Sequence, residues 1–259
     1  MPDLELIGKS QCFPLYWYDE RKETPQREFD YEYDTVDSKY IRHDGVSDWI
    51  LKEVRKRFGN SKAITKEHIF YYVYGLLHSQ QYRERFTADL KKSLPRIPIV
   101  ENVQNFMAFY KAGKELADLH LNYESVAPHP DVAADIAPCP ADTTEYDLYA
   151  VEKMAFPKVR NEQGKLVPDK SRINYNRFIT IENIPAKAYE YVVNGKSAIE
   201  WIMERYAVSQ DRKSLIVNNP NDWSREHNKP SYIFDLLMSI INVSSRTVDI
   251  VNSLPKLNL

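Results

Sequence analysis

Glycine occurs only seven times in this 259-residue chain, at Gly8, Gly45, Gly59, Gly75, Gly113, Gly164 and Gly195, and no two lie closer than fourteen positions. Loops that wrap phosphate or seat a strained nucleophile need closely spaced glycines, because backbone must approach the ligand where no Cβ can fit. The spacing therefore excludes a GxGxxG dinucleotide loop and a GxSxG nucleophile elbow. One near-miss is Gly195-Lys196-Ser197, which looks like the end of a Walker A loop. The glycine that should open such a loop is replaced by Glu190. A turn followed by a helix start fits better, with Ile199, Ile202, Met203 and Tyr206 at helical spacing after Ser197.

A chain of this length forms one large domain or two small ones. Hydrophobic residues make up 43 % and charged residues 28 %, which suits a core-forming globular protein. No run approaches the ~18 apolar residues of a membrane span, so no membrane partner is expected. Residues 1–10 carry Asp3, Glu5 and Lys9 without an apolar stretch, so no signal peptide is expected. Cys12 and Cys139 form no CxxC pair, which predicts a reducing, cytoplasmic compartment. The net charge of −2 hides strong blocks: −6 over residues 1–50, +7 over 51–100, −7 over 101–150, +3 over 151–200 and +1 beyond. Binding a polyanion requires local positive potential, not a positive total.

Periodicity predicts an α+β fold: a helical N-terminal half, a small antiparallel β-sheet and C-terminal helices. Residues 15–18 read as an aromatic strand and 19–44 as loop. Ser47 caps a helix to Phe58 with Leu51, Val54 and Phe58 inward. Its outer face offers Lys52, Arg55, Lys56 and Arg57. Thr65 caps a second helix bearing Ile69, Tyr72, Val73, Leu76 and Leu77. Ser79 restarts it with Tyr82, Phe86, Leu90 and Leu94 inward, until Pro95 and Pro98 force extended backbone. A third helix is expected over about 101–121, with Val103, Phe106, Met107, Tyr110 and Leu116 inward. The Pro-rich stretch 126–144 reads as a linker between a helical part, 1–125, and a β-hairpin and helix part, 145–259. Strands are expected at 146–151, 152–159 and 189–193. Between 172 and 181, Ile173, Tyr175, Ile179 and Ile181 alternate onto one face. A buried helix follows Pro230 and is expected to restart near 244–246.

Catalytic signatures are missing. The histidines, His43, His68, His78, His120, His129 and His227, form no HExxH or Cys–His cluster, so no metal site is expected. Asp3 with Glu20-Arg21-Lys22 only superficially resembles a metal-nuclease pattern. No residue pairs a nucleophile with an evident base. Recognition remains. Residues 153–177 hold seven Lys and Arg against Glu162 and Asp169. Arg172, Asn174 and Asn176 alternate onto one strand face, and Arg and Asn can grip purine edges at two points. Lys158, Arg160, Lys165 and Lys170 supply phosphate contacts, Arg177 completes the basic set, and Arg96, between two prolines, is a further candidate. A solvated polar ribbon is the simpler alternative for the same pattern.

Several segments resemble the C-terminal specificity domain of Type ISP restriction–modification enzymes. They are Phe70-Tyr-Tyr-Val-Tyr-Gly-Leu-Leu-His-Ser79, Tyr82-Arg-Glu-Arg85, Leu94-Pro-Arg-Ile-Pro98, Ala117-Asp-Leu-His-Leu-Asn-Tyr-Glu124, Tyr191-Val-Val-Asn-Gly-Lys-Ser197 and Thr247-Val-Asp-Ile-Val-Asn252. The resemblance implies a target recognition domain for double-stranded DNA. In such enzymes a nuclease, a helicase-like translocase and an adenine N6-methyltransferase precede it in one polypeptide. ATP, Mg and S-adenosylmethionine would then belong to those upstream domains, with no cofactor and no catalysis in this chain. The acidic blocks and Tyr-rich surface suggest an alternative role, docking the methyltransferase core.

Overall fold

The structure, a computed structural model, describes residues 12–21, 39–90 and 92–257. The chain forms two compact units, one of Met1–Lys114 with Leu254–Leu259 and one of Glu115–Ser253.

The first unit opens with strands β1 (Tyr16–Glu20) and β2 (Tyr40–Asp44), paired antiparallel with Tyr16 opposite Asp44. The expected loop over 19–44 is thus corrected at both ends: its last residues form a strand whose partner lies across 22–38, which fall outside the described residues. Helix α1 (Asp48–Arg57) starts where Ser47 Oγ accepts the Ile50 amide. Helix α2 (Lys66–His78) starts at a capping box in which Thr65 Oγ1 accepts the His68 amide and His68 Nδ1 accepts the Thr65 amide. Ser79 ends α2 and caps α3 (Gln80–Arg85), and α4 (Thr87–Leu90) follows. Helix α5 (Val103–Leu121) begins after Asn102, whose side chain accepts the Asn105 amide.

Val54, Ile69, Tyr72, Leu76, Tyr82, Phe106 and Phe109 make the core of this unit. Two expected core positions are corrected: Leu94, beyond the break between α3 and α4, and Val103, in the first turn of α5, are exposed. Buried tyrosines hold the proline-bounded segment extended. Tyr72 Oη donates to the Pro98 carbonyl at 2.6 Å and accepts the Val100 amide, while Tyr82 Oη donates to the Arg96 carbonyl at 2.8 Å. Burial pushes the Tyr72 hydroxyl up to about 12, so it stays a donor.

His68 makes the α2 cap sensitive to pH. Its Nδ1 accepts the Thr65 amide only when unprotonated, and burial, with Lys114 nearby, holds its pKa below the ordinary 6.5. A depressed folded pKa means the neutral ring contributes stability that is complete above about pH 6.5 and is lost as pH falls through the folded value. His78, depressed by burial, acts with the same sign. The melting temperature is therefore expected to fall between pH 7 and pH 5. His68→Gln, which keeps an acceptor at this position, should flatten that fall and leave the His78 contribution. A pH slope unchanged by the substitution would contradict this.

The second unit is built on helix α9 (Tyr232–Asn252), described below with its neighbours. Strand β3 (Ala133–Ile136) pairs with β7 (Ile179–Glu182), which also pairs with β6 (Ile173–Asn174), all antiparallel. Stretch 126–144 is therefore not a linker. It lies within the second compact unit, and its backbone completes the sheet, with Ala134 opposite Ile181. Helix α6 (Glu145–Tyr149) replaces the strand expected over 146–151, because Thr144 Oγ1 caps the Asp147 amide and turns the chain. Residues 152–157 form no named strand. Strand β4 (Lys158–Arg160) and β5 (Leu166–Pro168) make a hairpin.

A 3₁₀ turn at Ala186–Glu190 takes the first two residues of the strand expected at 189–193, whose last two form β8 (Val192–Val193). Strand β8 pairs with β9 (Lys196–Ser197). Asn194 and Gly195, at φ 50° and 86°, supply the left-handed turn between them. Ser197 then caps α7 (Ala198–Arg205) in a box with Glu200, so Gly195-Lys196-Ser197 is a turn and helix start. Strands β10 (Ser209–Gln210) and β11 (Val217–Asn218) form another hairpin, and α8 (Asn221–Glu226) leads to α9. The expected restart near 244–246 does not occur. Ser244 and Ser245 are buried mid-helix, between Ile240, Ile241, Val243, Val248 and Ile250, and packing of that face outweighs their modest helix propensity.

Candidate nucleic-acid interface

The alternation read over 172–181 holds on its apolar side. Ile173, Tyr175, Ile179 and Ile181 are all at 0 % exposure and form the heart of the second core. On the outward side the structure separates residues that face solvent freely from those already spent on the fold.

Asn176 is spent completely. Its Oδ1 accepts the Phe178 and Ile179 amides, both at 2.8 Å, and its Nδ2 donates to the Leu148 and Ala150 carbonyls at 2.8 and 2.9 Å. An amide has one acceptor oxygen and two donor hydrogens, so nothing is left for a base edge. Its expected role is corrected: it shapes the β6–β7 turn and ties it to α6. Arg172 places Nε 3.0 Å from Asp169 Oδ2 and Nη1 3.9 Å from Glu182 Oε1, a fork held between two carboxylates. Asp169 is itself held well below the usual carboxylate range, chiefly by the Ser171 hydroxyl and amide and then by Arg172. Lys170 donates to Glu200 at 2.8 Å and lies over the Phe156 and Tyr189 rings. Both cations thus serve the fold: Arg172, expected to read a base edge, and Lys170, expected to contact phosphate, are already held by carboxylates.

Asn174 is the free member of the reading face. Its backbone pairs with Thr180 and Ala155, while its side chain is exposed and makes no hydrogen bond among the described residues. Arg177, exposed at the β6–β7 turn, lies over the Phe178 ring at 4.5 Å.

The β4–β5 hairpin carries the remaining unit-two cations. Its register places Arg160 opposite Leu166 and Lys158 opposite Pro168, so these two cations share a face. Asn161 Oδ1 accepts the Gln163 and Lys165 amides, and Gly164 takes φ +74° where a side chain would be strained. Arg160 Nη1 also donates to the Gly164 carbonyl at 2.8 Å. The tip is therefore fixed, with Lys158, Arg160 and Lys165 exposed and no carboxylate paired to them among the described residues. Such an array attracts a polyanion and offers no proton-transfer chemistry.

Arg96 is exposed in the first unit, its carbonyl taken by Tyr82. The basic block 51–100 is partly structural as well. Arg55 donates to the Ile64 and Lys62 carbonyls, Arg57 to Val100, and Lys66 bridges Asp44 and Asp48. Sequence reasoning missed the β10–β11 hairpin, whose tip carries Arg212 and Lys213 beside exposed aliphatics. The signal available was Asp211-Arg-Lys-Ser214, turn chemistry ahead of an apolar pair.

The Type ISP C-terminal specificity domain family matches residues 1–236. The chain belongs to that family. Three of the solved structures that resemble it are described with DNA. The ATP-dependent Type ISP restriction–modification enzyme LlaBIII bound to DNA shares 36 % identity at TM-score 0.70 over 95 % of this chain. A nuclease-deletion mutant of the Type ISP enzyme LlaGI, in complex with a DNA substrate mimic, shares 43 % identity at TM-score 0.62 over 76 %. The DrdV–DNA complex shares 30 % at TM-score 0.63 over 82 %. This specificity domain spans only 14 %, 14 % and 20 % of those chains. No curated protein matches it. Among the described residues no helix is long and apolar enough to cross a membrane, and no group of three or more His, Cys, Asp or Glu could hold a metal ion.

Proposed function

We propose that this specificity domain recognises target sites in duplex DNA for a larger restriction–modification polypeptide and carries out no catalysis itself. The observation that carries the reading is the hydrogen-bonded β4–β5 hairpin, with Lys158, Arg160 and Lys165 exposed and in no ion pair among the described residues, in the same unit as exposed Asn174 and Arg177. The three hairpin cations neutralise phosphates and position the domain. Asn174 and Arg177 offer two-point hydrogen bonds to purine edges. ATP, Mg and S-adenosylmethionine act in other domains of that polypeptide.

A salt titration of duplex binding tests this. Each neutralised phosphate adds about −0.9 to the slope of log K against log salt. Lys165→Ala is expected to weaken target and non-target DNA alike and to flatten the slope by about 1. Asn174→Ala should weaken target binding while leaving the slope unchanged. Binding independent of salt, or a Lys165→Ala variant with wild-type slope, would refute the assignment.

A second reading, docking onto another domain of the same polypeptide, is favoured by the β1–β2 region. Trp49, Phe13 and Tyr18 are 69, 67 and 50 % exposed there, and Trp17 stacks on His43. Lys66 bridges Asp44 and Asp48, and Lys39 pairs with Glu20, so these rings sit among neutralised charges, which suits a protein partner.

A further inference from the structure

The hairpin of β10 and β11 combines three features. First, it exposes consecutive branched aliphatics: Leu215, Ile216 and Val217 are 66, 68 and 56 % exposed. Second, its loop is rigid. Asp211 Oδ1 accepts the Lys213 amide, the Ser214 amide and the Ser214 hydroxyl. The Asp211 amide donates to the Ile216 carbonyl and the Leu215 amide to the Asp211 carbonyl. Gln210 Nε2 donates to the Leu215 carbonyl. Leu215 is held at φ 60°, a left-handed backbone that a leucine rarely adopts. Third, the charge left facing outward is positive. Arg212 and Lys213 are exposed and make no ion pair among the described residues, while the one carboxylate of the loop is turned onto the loop's own amides.

Exposed aliphatics on a rigid tip flanked by cations match the way apolar side chains enter the DNA base stack while basic neighbours hold the phosphates. The root of the hairpin is tied down, the Val208 amide donating to the Glu152 carbonyl at 2.8 Å in the segment leading to β4. Beyond the Asp211 to Ile216 hydrogen bond, residues 212–215 form the tip.

We propose that the β10–β11 hairpin is a DNA wedge. Leu215 and Ile216 insert between base pairs of the target, and Arg212 and Lys213 hold the flanking phosphates. The wedge rests on the DNA-recognition reading above and adds to it a site that distorts the duplex instead of reading it.

The test uses this chain and a duplex selected with it from a randomised pool, with 2-aminopurine scanned through each position to report unstacking and end-to-end energy transfer to report bending. The wild-type chain is expected to raise 2-aminopurine fluorescence at one step and shorten the end-to-end distance. The Leu215→Ala/Ile216→Ala variant should return both signals to those of free DNA and bind about tenfold more weakly, with an unchanged salt slope. The Arg212→Ala/Lys213→Ala variant should flatten the slope by about 2. Both substitutions are at exposed positions, and circular dichroism checks that each variant is folded. Salt-dependent binding with no unstacking, or unstacking that survives loss of both aliphatics, overturns the wedge alone. Absence of any salt-dependent duplex binding overturns the recognition reading and the wedge with it.

Discussion

Gly113→Ala is expected to unfold the first unit or leave it severely destabilised. A Cβ at Gly113 would sit 1.9 Å from the Tyr71 carbonyl oxygen and 2.6 Å from the Gly75 nitrogen, and one at Gly75 would sit 2.3 Å from the Phe109 carbonyl oxygen. Helices α2 and α5 therefore cross backbone to backbone, each supplying a glycine to the other. The atoms met are main chain and cannot rotate away, so the helices must separate. That separation loosens Tyr72 from Phe106, whose rings stack at 4.6 Å, and opens the core around Phe109. Overpacking against side chains typically costs about 1–3 kcal/mol; against two backbones the loss should exceed about 3 kcal/mol. Gly59 is the control: its Cβ would meet nothing within 4 Å, and only its φ of +70° resists substitution. Gly59→Ala should cost about 1 kcal/mol. Urea unfolding of both variants decides the matter, and a Gly113→Ala loss as small as the Gly59 one would mean the crossing yields easily.

Asn176→Ala should destabilise the second unit by about 3 kcal/mol, since a buried group stripped of its partner costs about 1–3 kcal/mol. Here two amides and two carbonyls lose partners together, partly offset by water reaching the turn. Affinity for target and non-target DNA should fall together, in proportion to the unfolded fraction, and recover on cooling or with a stabilising osmolyte. A base-reading asparagine would behave in the opposite way, with melting unchanged and target binding alone reduced. Asn174→Ala, two residues earlier at the end of β6, is expected to show that second pattern. Calorimetry paired with binding assays on the two variants separates a turn-former from a reader.

Local chemistry made much of the helical half legible. Ser47, Thr65, Ser79 and Ser197 all cap the helices expected of them, because a cap bonds an amide three residues away and the 3.6-residue stripe sits within one element. The alternation of Ile173, Tyr175, Ile179 and Ile181 was equally readable, since its period needs no distant partner. Where the strand expected over 146–151 begins, Tyr146, Leu148 and Tyr149 fit either period over so short a run, and the Thr144 cap settles it as helix.

The candidate site divides along the same line. The sequence on its own determined that this chain lacks every glycine-paired phosphate loop, that its positive charge is concentrated rather than spread, and which strand residues point away from the core. Only the tertiary structure decided which of those outward residues are free. Asn176 is consumed by the carbonyls of Leu148 and Ala150, and Lys170 by Glu200, partners 26 to 30 positions away. Asn174 and Lys165, with the same side-chain chemistry, find none among the described residues. Periodicity fixes the direction of a side chain from its own backbone, but its hydrogen-bonding capacity is shared with whatever the fold brings beside it. A polar residue's availability to a ligand is therefore a property of the folded neighbourhood.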